Sequence, residues 1–362
     1  MAVNMLLQSR LFHGHFRRNL KPHIRDYAFF RCSRLSTMVK PYIFHSKTRT
    51  LESDSQGLYL TKSVLVGDMP TFGSENTFEA IDRDELMSRY RQCVLQTRLF
   101  NYEGERSTKT TCAMPLMQNM MKVVWSLADR FPGLLDMTLS YKPHVSATWP
   151  RGKQDVQVSG NLGFLLSSKN ILSPFANPDQ VNATKKQSLE NLDIIAPVFN
   201  LHQMETKGEM DTGFYPGAPY PNLHTLVMVN TEKDWSIRDI SAQGMMFTFA
   251  RLVAEATCNH GYKMGEDLEE PLTGQCIMTN GIRLSFLCFQ LNTLDLRSDE
   301  GVKNMVWLKS GVQMYERARL EEIPPERKLD PITYEAKVEG FNTDSFEMFT
   351  NMLLNGSQDD QS

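Results

Sequence analysis

The stretch Gly274–Leu296, GQCIMTNGIRLSFLCFQLNTLDL, carries the clearest local signal in the chain. Two apolar runs flank Asn280-Gly281, the residue pair that most readily adopts the positive-φ geometry of a two-residue hairpin turn. This predicts an antiparallel hairpin with its apolar side chains buried. Cys276 and Cys288 sit among Ile277, Leu287 and Phe289, so both read as core residues rather than activated thiolates.

Working outward, LHTLVMV (Leu223–Val229) predicts another strand. Ser241 then offers a cap for a helix from Ala242 to about Asn259, ended by Gly261 and burying Met245, Met246, Phe249, Leu252, Val253 and Ala256. Further upstream, helical spacing of apolar residues runs from Asp84 to Phe100 and again from Pro115 to Arg130. The methionine stripe of that second helix (Met117, Met120, Met121) reads as adaptable core. TKSVLVGDMP, LSYKPHVSATW and DVQVSG predict sheet strands, and IIAPVFNL a buried one. Ser53–Gly57 reads as a polar connector and Ser167–Gln187, broken by Pro174 and Pro178, as a surface excursion. A last helix, capped near Thr343 or Asp344, carries Phe346, Phe349, Leu353 and Leu354. Helices interleaved with strands give an α/β or α+β fold: a mixed sheet with a C-terminal antiparallel hairpin, covered by helices.

The formal charge of −3 hides two unlike segments. Residues 1–50 hold ten Lys/Arg and one acid, Asp26, for +9, which leaves the remaining 312 residues at −12. The opening MAVNMLLQSRLFHGHFRRNLKPHIR has five basic residues and no acid. Wound as a helix it sets Met5, Phe12, Phe16 and Leu20 against Arg10, Arg17, Arg18 and Lys21. An acid-poor, Arg-rich, amphipathic start is the signature of a mitochondrial transit peptide, although a retained basic arm that binds RNA has the same composition. The expected layout is a transit peptide over 1–35, a linker or N-terminal arm over 36–58, a single domain over 59–355 and a disordered tail over 356–362. No apolar run approaches the length that spans a bilayer, so no membrane role is expected.

Motifs for chemistry are missing. The six cysteines form no C-x-x-C pair, and no H-E-x-x-H, G-x-S-x-G or phosphate-binding loop occurs. His202, Glu205, Glu209 and Asp211 are loosely grouped without a second nearby histidine. The acids Glu266, Asp267, Glu269 and Glu270 read as a solvated loop. No catalytic residue, metal or cofactor is expected. The acidic body argues against a protein that finds nucleic acid by long-range attraction, yet leaves room for local basic strips. Arg83, Arg89, Arg91 and Arg98 share one helix, and Arg317, Arg319, Arg327 and Lys328 surround Pro324-Pro325. These eight are the candidate RNA contacts. The Gly- and Pro-dense loop holding Phe214, Tyr215, Pro219 and Tyr220 offers a rigid surface of low entropy, and these four are the candidate protein contacts. Trp149 and Trp307 suit either the core or a partner groove.

FQLNTLDLRSDEGVKNMVWL (Phe289–Leu308), MDTGFYPGAPYPNLHTL (Met210–Leu226) and VSATW (Val145–Trp149) closely resemble the large-subunit protein thirty-seven family of mitochondrial ribosomal proteins. LTKSVLVGDMP and VEGFNTDSF stand where that family's opening strand and closing helix would, so the resemblance runs from about Leu60 to Phe349. Part of it is shared with a paralogous mitoribosomal family, the programmed cell death protein nine group. The resemblance implies a structural constituent of the mitochondrial large ribosomal subunit in the matrix. Its implied partners are large-subunit rRNA, the paralogue and other large-subunit proteins. It implies no catalytic residue; the alternative is a matrix enzyme of unassigned chemistry.

Overall fold

A computed structural model describes residues 41–72, 81–100, 111–161, 163–190, 192, 210–230, 232, 234–323 and 333–357. The whole expected transit peptide (1–35), the IIAPVFNL segment, Arg327 and Lys328 therefore lie outside the described residues. The first half of the fold runs β1 (Tyr42–His45), α1 (Ser53–Leu60), β2 (Ser63–Val66), α2 (Arg83–Leu95), α3 (Ala113–Trp125), β3 (Met137–Tyr141), β4 (His144–Arg151), β5 (Gln154–Asn161) and β6 (Phe164–Ser168). Then come α4 (Pro178–Ala183), β7 (Asn222–Val229), α5 (Ile237–Cys258), β8 (Asp267–Thr279), β9 (Arg283–Thr293), β10 (Asn304–Gln313), β11 (Arg317–Ile323), β12 (Thr333–Glu339) and α6 (Thr343–Leu354). Seven strands form one mixed sheet in the order β2-β10-β9-β8-β7-β6-β3, and β1-β5-β4 form a second, three-stranded sheet.

Period-two alternation assigns the two faces of the large sheet. Leu165, Leu226, Met278, Leu287, Phe289 and Val306 pack on one side with α5 and the inner residues of the small sheet, Val145, Ala147, Trp149, Val156 and Val158. Their neighbours Phe164, Leu166, Val227, Ile277, Phe286, Cys288, Met305 and Trp307 pack on the other side with α2, α3 and α6. The result is four layers: small sheet, α5 with α1, large sheet, then three helices. A helix enclosed between two sheets has no polar face to keep wet, so α5 is buried along almost its whole length. At Gly244 an added Cβ would lie 2.0 Å from Met278 Sδ, so a larger residue there would require the Met278 side chain to repack.

Several elements differ from the sequence expectation for physical reasons. The helix predicted from Ala242 begins at Ile237, because Ser236 and Asp239 form a reciprocal capping box one turn earlier. Ser53–Gly57 is the start of α1 rather than a connector. Its polar side chains are spent on α5, where Ser53 donates to Asp239 at 2.8 Å and Arg238 donates to Asp54 at 2.9 Å. Strand β1 pairs in parallel with β5, so from residue 42 onward the expected arm is built into the fold. The hairpin of β8 and β9 is antiparallel as expected, but Thr279 pairs with Leu284, which moves the tip one residue on, to Gly281-Ile282. Asn280 accepts from the Ile282 and Arg283 amides at 3.1 and 2.9 Å and so acts beside the tip. Ser167–Gln187 runs over the surface as expected, but it is anchored at a few points. Leu172 and Ala176 are buried, and Phe175 stands edge-on to Trp307 at 5.7 Å. Of Glu266–Glu270, the last four residues open β8 and are solvated as expected. Helix α6 is capped by Asn342. The tail's first residues also pack: Ser357 is buried and accepts from the Gly133 amide at 3.2 Å.

Two buried polar groups tie this architecture together. On α5, Arg251 and Glu255 form an ion pair at 2.7 Å with both side chains out of solvent. Glu255 also accepts from the Leu223 amide at 2.8 Å, and Arg251 donates to the Pro221 carbonyl at 2.8 Å, which fixes where β7 enters the sheet. Removing one partner strands the other charge in an apolar layer. The variant Arg251→Met should lose about 3–5 kcal/mol in urea unfolding, and the Arg251→Met/Glu255→Met double variant less than the sum of the single losses.

His224 is the second such group. It is fully buried, accepting at Nδ1 from Thr225 at 2.8 Å and donating from Nε2 to the Asn355 carbonyl at 2.8 Å. Burial pushes its pKa down to about 4 from 6.5. The unfolded chain therefore binds the proton more readily between these values. The neutral ring's contribution is complete above pH 6.5 and is lost as the pH falls toward 4. Unfolding measured between pH 7 and 4 should show up to about 3 kcal/mol of this loss, and His224→Asn should flatten that slope.

Candidate functional site

The described arginines of the candidate RNA strip lie along one connected route over α2, the π-helical turn Gln96–Phe100 that continues it, and the β11–β12 pair packed beside both. Along that route acidic and aromatic neighbours take up much of their charge. Arg83 pairs with Glu347 of α6. Arg89 forks onto Glu85 one turn back, with an Nε–Oε1 distance of 3.1 Å, and donates to Ser126 at 2.8 Å. Arg91 lies over the Phe341 ring at 4.4 Å from its centroid. Arg98, on the π-helical turn, is half-buried. Arg319 pairs with Glu339 at 2.7 Å, while Arg317 stands exposed opposite Glu339 in the ladder. The structure thus places six of the eight residues on adjoining elements but on differing faces of them, and the other two lie outside the described residues.

The candidate protein-contact loop is immobilised at both ends. Asp211 exchanges backbone hydrogen bonds with Ser146 of β4 at 3.0 and 2.7 Å. Its carboxylate accepts from the Gly213 amide at 2.8 Å and meets His144 Nδ1 at 3.0 Å. Gly213 has φ +85°, and a Cβ there would stand 3.0 Å from the His144 carbonyl, so the turn requires glycine. At the far end the Pro221 carbonyl is held by Arg251 and by Asn259 at 3.3 Å. Between these anchors Phe214 tucks against the core, Tyr220 is half-buried and Pro219 is exposed. Tyr215 is 90% exposed, more than any other large apolar or aromatic side chain described.

One constellation escaped the sequence reading. Ser159 Oγ lies 3.2 Å from His144 Nε2, and Asp211 holds the other ring nitrogen. The order serine, histidine, aspartate is that of a hydrolase relay, but three residues from two strands and a loop have no linear signature. Their surroundings are those of a latch. Ser159 sits inside the ladders of both β1 and β4, so its backbone is committed to pairing and cannot supply an oxyanion donor. The His144 and Asp211 side chains are each more than two-fifths exposed, without the desolvation that makes such a relay effective. The chemistry of the buried cysteines is likewise that of packing: burial pushes the Cys276 thiol up to about 12 and Cys93 to about 11. Among the described residues no group of three His, Cys, Asp or Glu could hold a metal ion, and no helix is long and apolar enough to cross a membrane.

The block Phe289–Leu308 that resembled the ribosomal family forms a polar junction with Thr61 of the opening-strand block. Asn304 Oδ1 accepts from the Asn292 and Thr293 amides at 2.8 and 3.0 Å, and its Nδ2 donates to the Thr61 carbonyl at 2.9 Å. Asn292 in turn donates to the Lys303 carbonyl at 3.0 Å. The loop between β9 and β10 is held from beneath by buried cations. Lys62 donates to the Asp295 carbonyl at 2.6 Å, and Arg151 reaches the Leu296 carbonyl at 3.1 Å while stacking on Tyr59. Burial lowers the Lys62 pKa, and Asp295 opposes that shift. Both tryptophans are core: Trp149 donates to the Leu60 carbonyl at 2.9 Å, and Trp307 is 5% exposed.

Residues 227–357, from the end of β7 through α6, match the family model described as mitochondrial 28S ribosomal protein S30 (PDCD9). Along most of its length the chain is similar to large ribosomal subunit protein mL37 from several vertebrates. It is 29% identical to the protein of Gallus gallus over 325 residues, which cover 87% of this chain and 74% of that one. Against the Rattus norvegicus protein identity is 29% over 328 residues, covering 87% and 75%. Against the Bos taurus protein it is 30% over 325 residues, again covering 87% and 75%, and the chain belongs to the mL37 family of large ribosomal subunit proteins.

Proposed function

We propose that this chain is a structural constituent of the large subunit of the mitochondrial ribosome. It supports mitochondrial translation through contacts with rRNA and protein neighbours and performs no chemistry of its own. The observation that carries this reading is the family relationship over 87% of the chain. The route from Arg83 through Arg98 to Arg317 and Arg319, extended by Arg327 and Lys328, is its rRNA-facing side. Because most of these arginines already have acidic neighbours, they act at short range once docked and contribute little to long-range capture. Phe214, Tyr215, Pro219 and Tyr220 form the protein contact, with Tyr215 as the anchor and Phe214 as the support beneath it. A protein of the S30 (PDCD9) family is the proposed neighbour there.

The chain should co-sediment with mitochondrial large-subunit rRNA, and its depletion should lower mitochondrial protein synthesis. A chain that remains at the top of the gradient would refute the reading. Tyr215→Ala should leave thermal unfolding unchanged but weaken incorporation by about 2 kcal/mol, roughly thirtyfold. The second reading, a matrix hydrolase, is favoured only by the Ser159–His144–Asp211 relay. A fluorophosphonate probe should leave Ser159 unmodified in the folded chain, and stoichiometric labelling there would revive the enzyme.

A further inference from the structure

Strand β3 closes one end of the seven-stranded sheet, and among the described residues it pairs only with β6. Its five residues keep an unbroken register from Met137↔Ser168 to Tyr141↔Phe164. Sheet edges are normally protected by bulges, prolines, charges or covering chain. The opposite edge, β2, is four residues long, and Gln187–Glu190 wall the groove beside it. On the small sheet, Asp211 bridges to Ser146 on β4. Among the described residues strand β3 has none of these devices: its sequence MTLSY contains no proline and no charge, and its register with β6 has no bulge. It also presents apolar side chains outward. Leu139 is 39% and Tyr141 62% exposed on one face, with Leu135, 67% exposed, just before them. Tyr141 leans on Phe164 with ring centroids 5.6 Å apart, so it is supported as well as exposed.

The geometry points to β3 as an acceptor edge for an extended segment of a neighbouring protein, which would add to the large sheet as an eighth strand. Unpaired backbone groups along an edge accept another strand and little else, which sets the class of occupant. Leu139 and Tyr141, two residues apart on one face, select apolar side chains at alternate positions of that segment. Lys142 follows β3 directly and Lys169 is held against its other end through the Asp136 carbonyl. Both are exposed, and among the described residues neither forms a salt bridge. The incoming strand should therefore carry acidic residues at its ends. RNA could satisfy the lysines but could not complete the ladder. This inference rests on the ribosomal reading and specifies a second protein contact, distinct from the Tyr215 loop.

Amide hydrogen exchange of the full chain, free and within isolated large subunits, tests the ladder directly. Peptides covering Met137–Tyr141 should exchange quickly in the free chain and slow by at least about tenfold in the particle. A photoreactive benzophenone side chain at position 141 should crosslink to an extended protein segment whose apolar residues alternate. Leu139→Lys/Tyr141→Lys, at exposed positions where folding should survive, should reduce incorporation while leaving thermal unfolding unchanged. Equal exchange in both states, crosslinks to nucleotides alone, or crosslinks to a second copy of the chain would each overturn the proposal. Absence of the chain from the particle would refute the ribosomal reading itself, whereas presence with a fast-exchanging β3 would refute this proposal alone.

Discussion

The ion pair of Arg251 and Glu255 lies inside a helix that has no wet face, and much of the fold can be traced from that constraint. A charge in such a layer is tolerated only if its partner and its remaining hydrogen bonds are supplied by the protein. Here most of them come from the other residue of the pair and from the backbone at Pro221 and Leu223, with Arg251 Nε left unpaired. The same two contacts set the start of β7 and the end of the Tyr215 loop. A buried electrostatic requirement and the exposed Tyr215 loop are thus parts of one piece of chain.

The architecture was legible where local pattern and tertiary role agree. Alternation in Phe164–Leu166, Leu226–Met228 and Phe286–Phe289 reports two buried faces of one sheet, and the helices bearing Met120 and Phe346 report one apolar face each. It was obscure where stability comes from elsewhere in the chain. SDSQGLYL has no pronounced apolar face, and as α1 its Ser53 donates to Asp239 while its Asp54 accepts from Arg238. The cap at Ser236 was overlooked because Ser241, nearer the apolar run, looked equally suitable. The hairpin tip moved because sheet register, set by thirteen- and eleven-residue strands, outweighs the preference of one dipeptide.

The surface shows the same division. Residue type alone identified the arginines and the aromatic loop, since charge and rigidity are legible without coordinates. Which arginines have acidic neighbours was not, because Glu347 lies 264 positions from Arg83 and Glu339 twenty from Arg319. The Ser159–His144–Asp211 latch was invisible for the same reason. The family block Phe289–Leu308, by contrast, is contiguous in sequence, and the Asn292 and Asn304 side chains within it close one hydrogen-bonded junction with the backbone of Thr293 and Lys303.

The parallel pairing of β2 with β10 joins Ser63 to Asn304. A chain that emerges into the matrix N-terminus first would hold β1, α1 and β2 without their partners until most of the polypeptide had followed. Loop closure over such distances is slow, and contacts of this range favour late, concerted assembly over stepwise growth from the leading end. Until then the apolar sides of α5 and its flanking strands would stand open to water and to other chains. Exposure during assembly is therefore set by topology, by which strand sits at the edge of the sheet as much as by how hydrophobic the strands are.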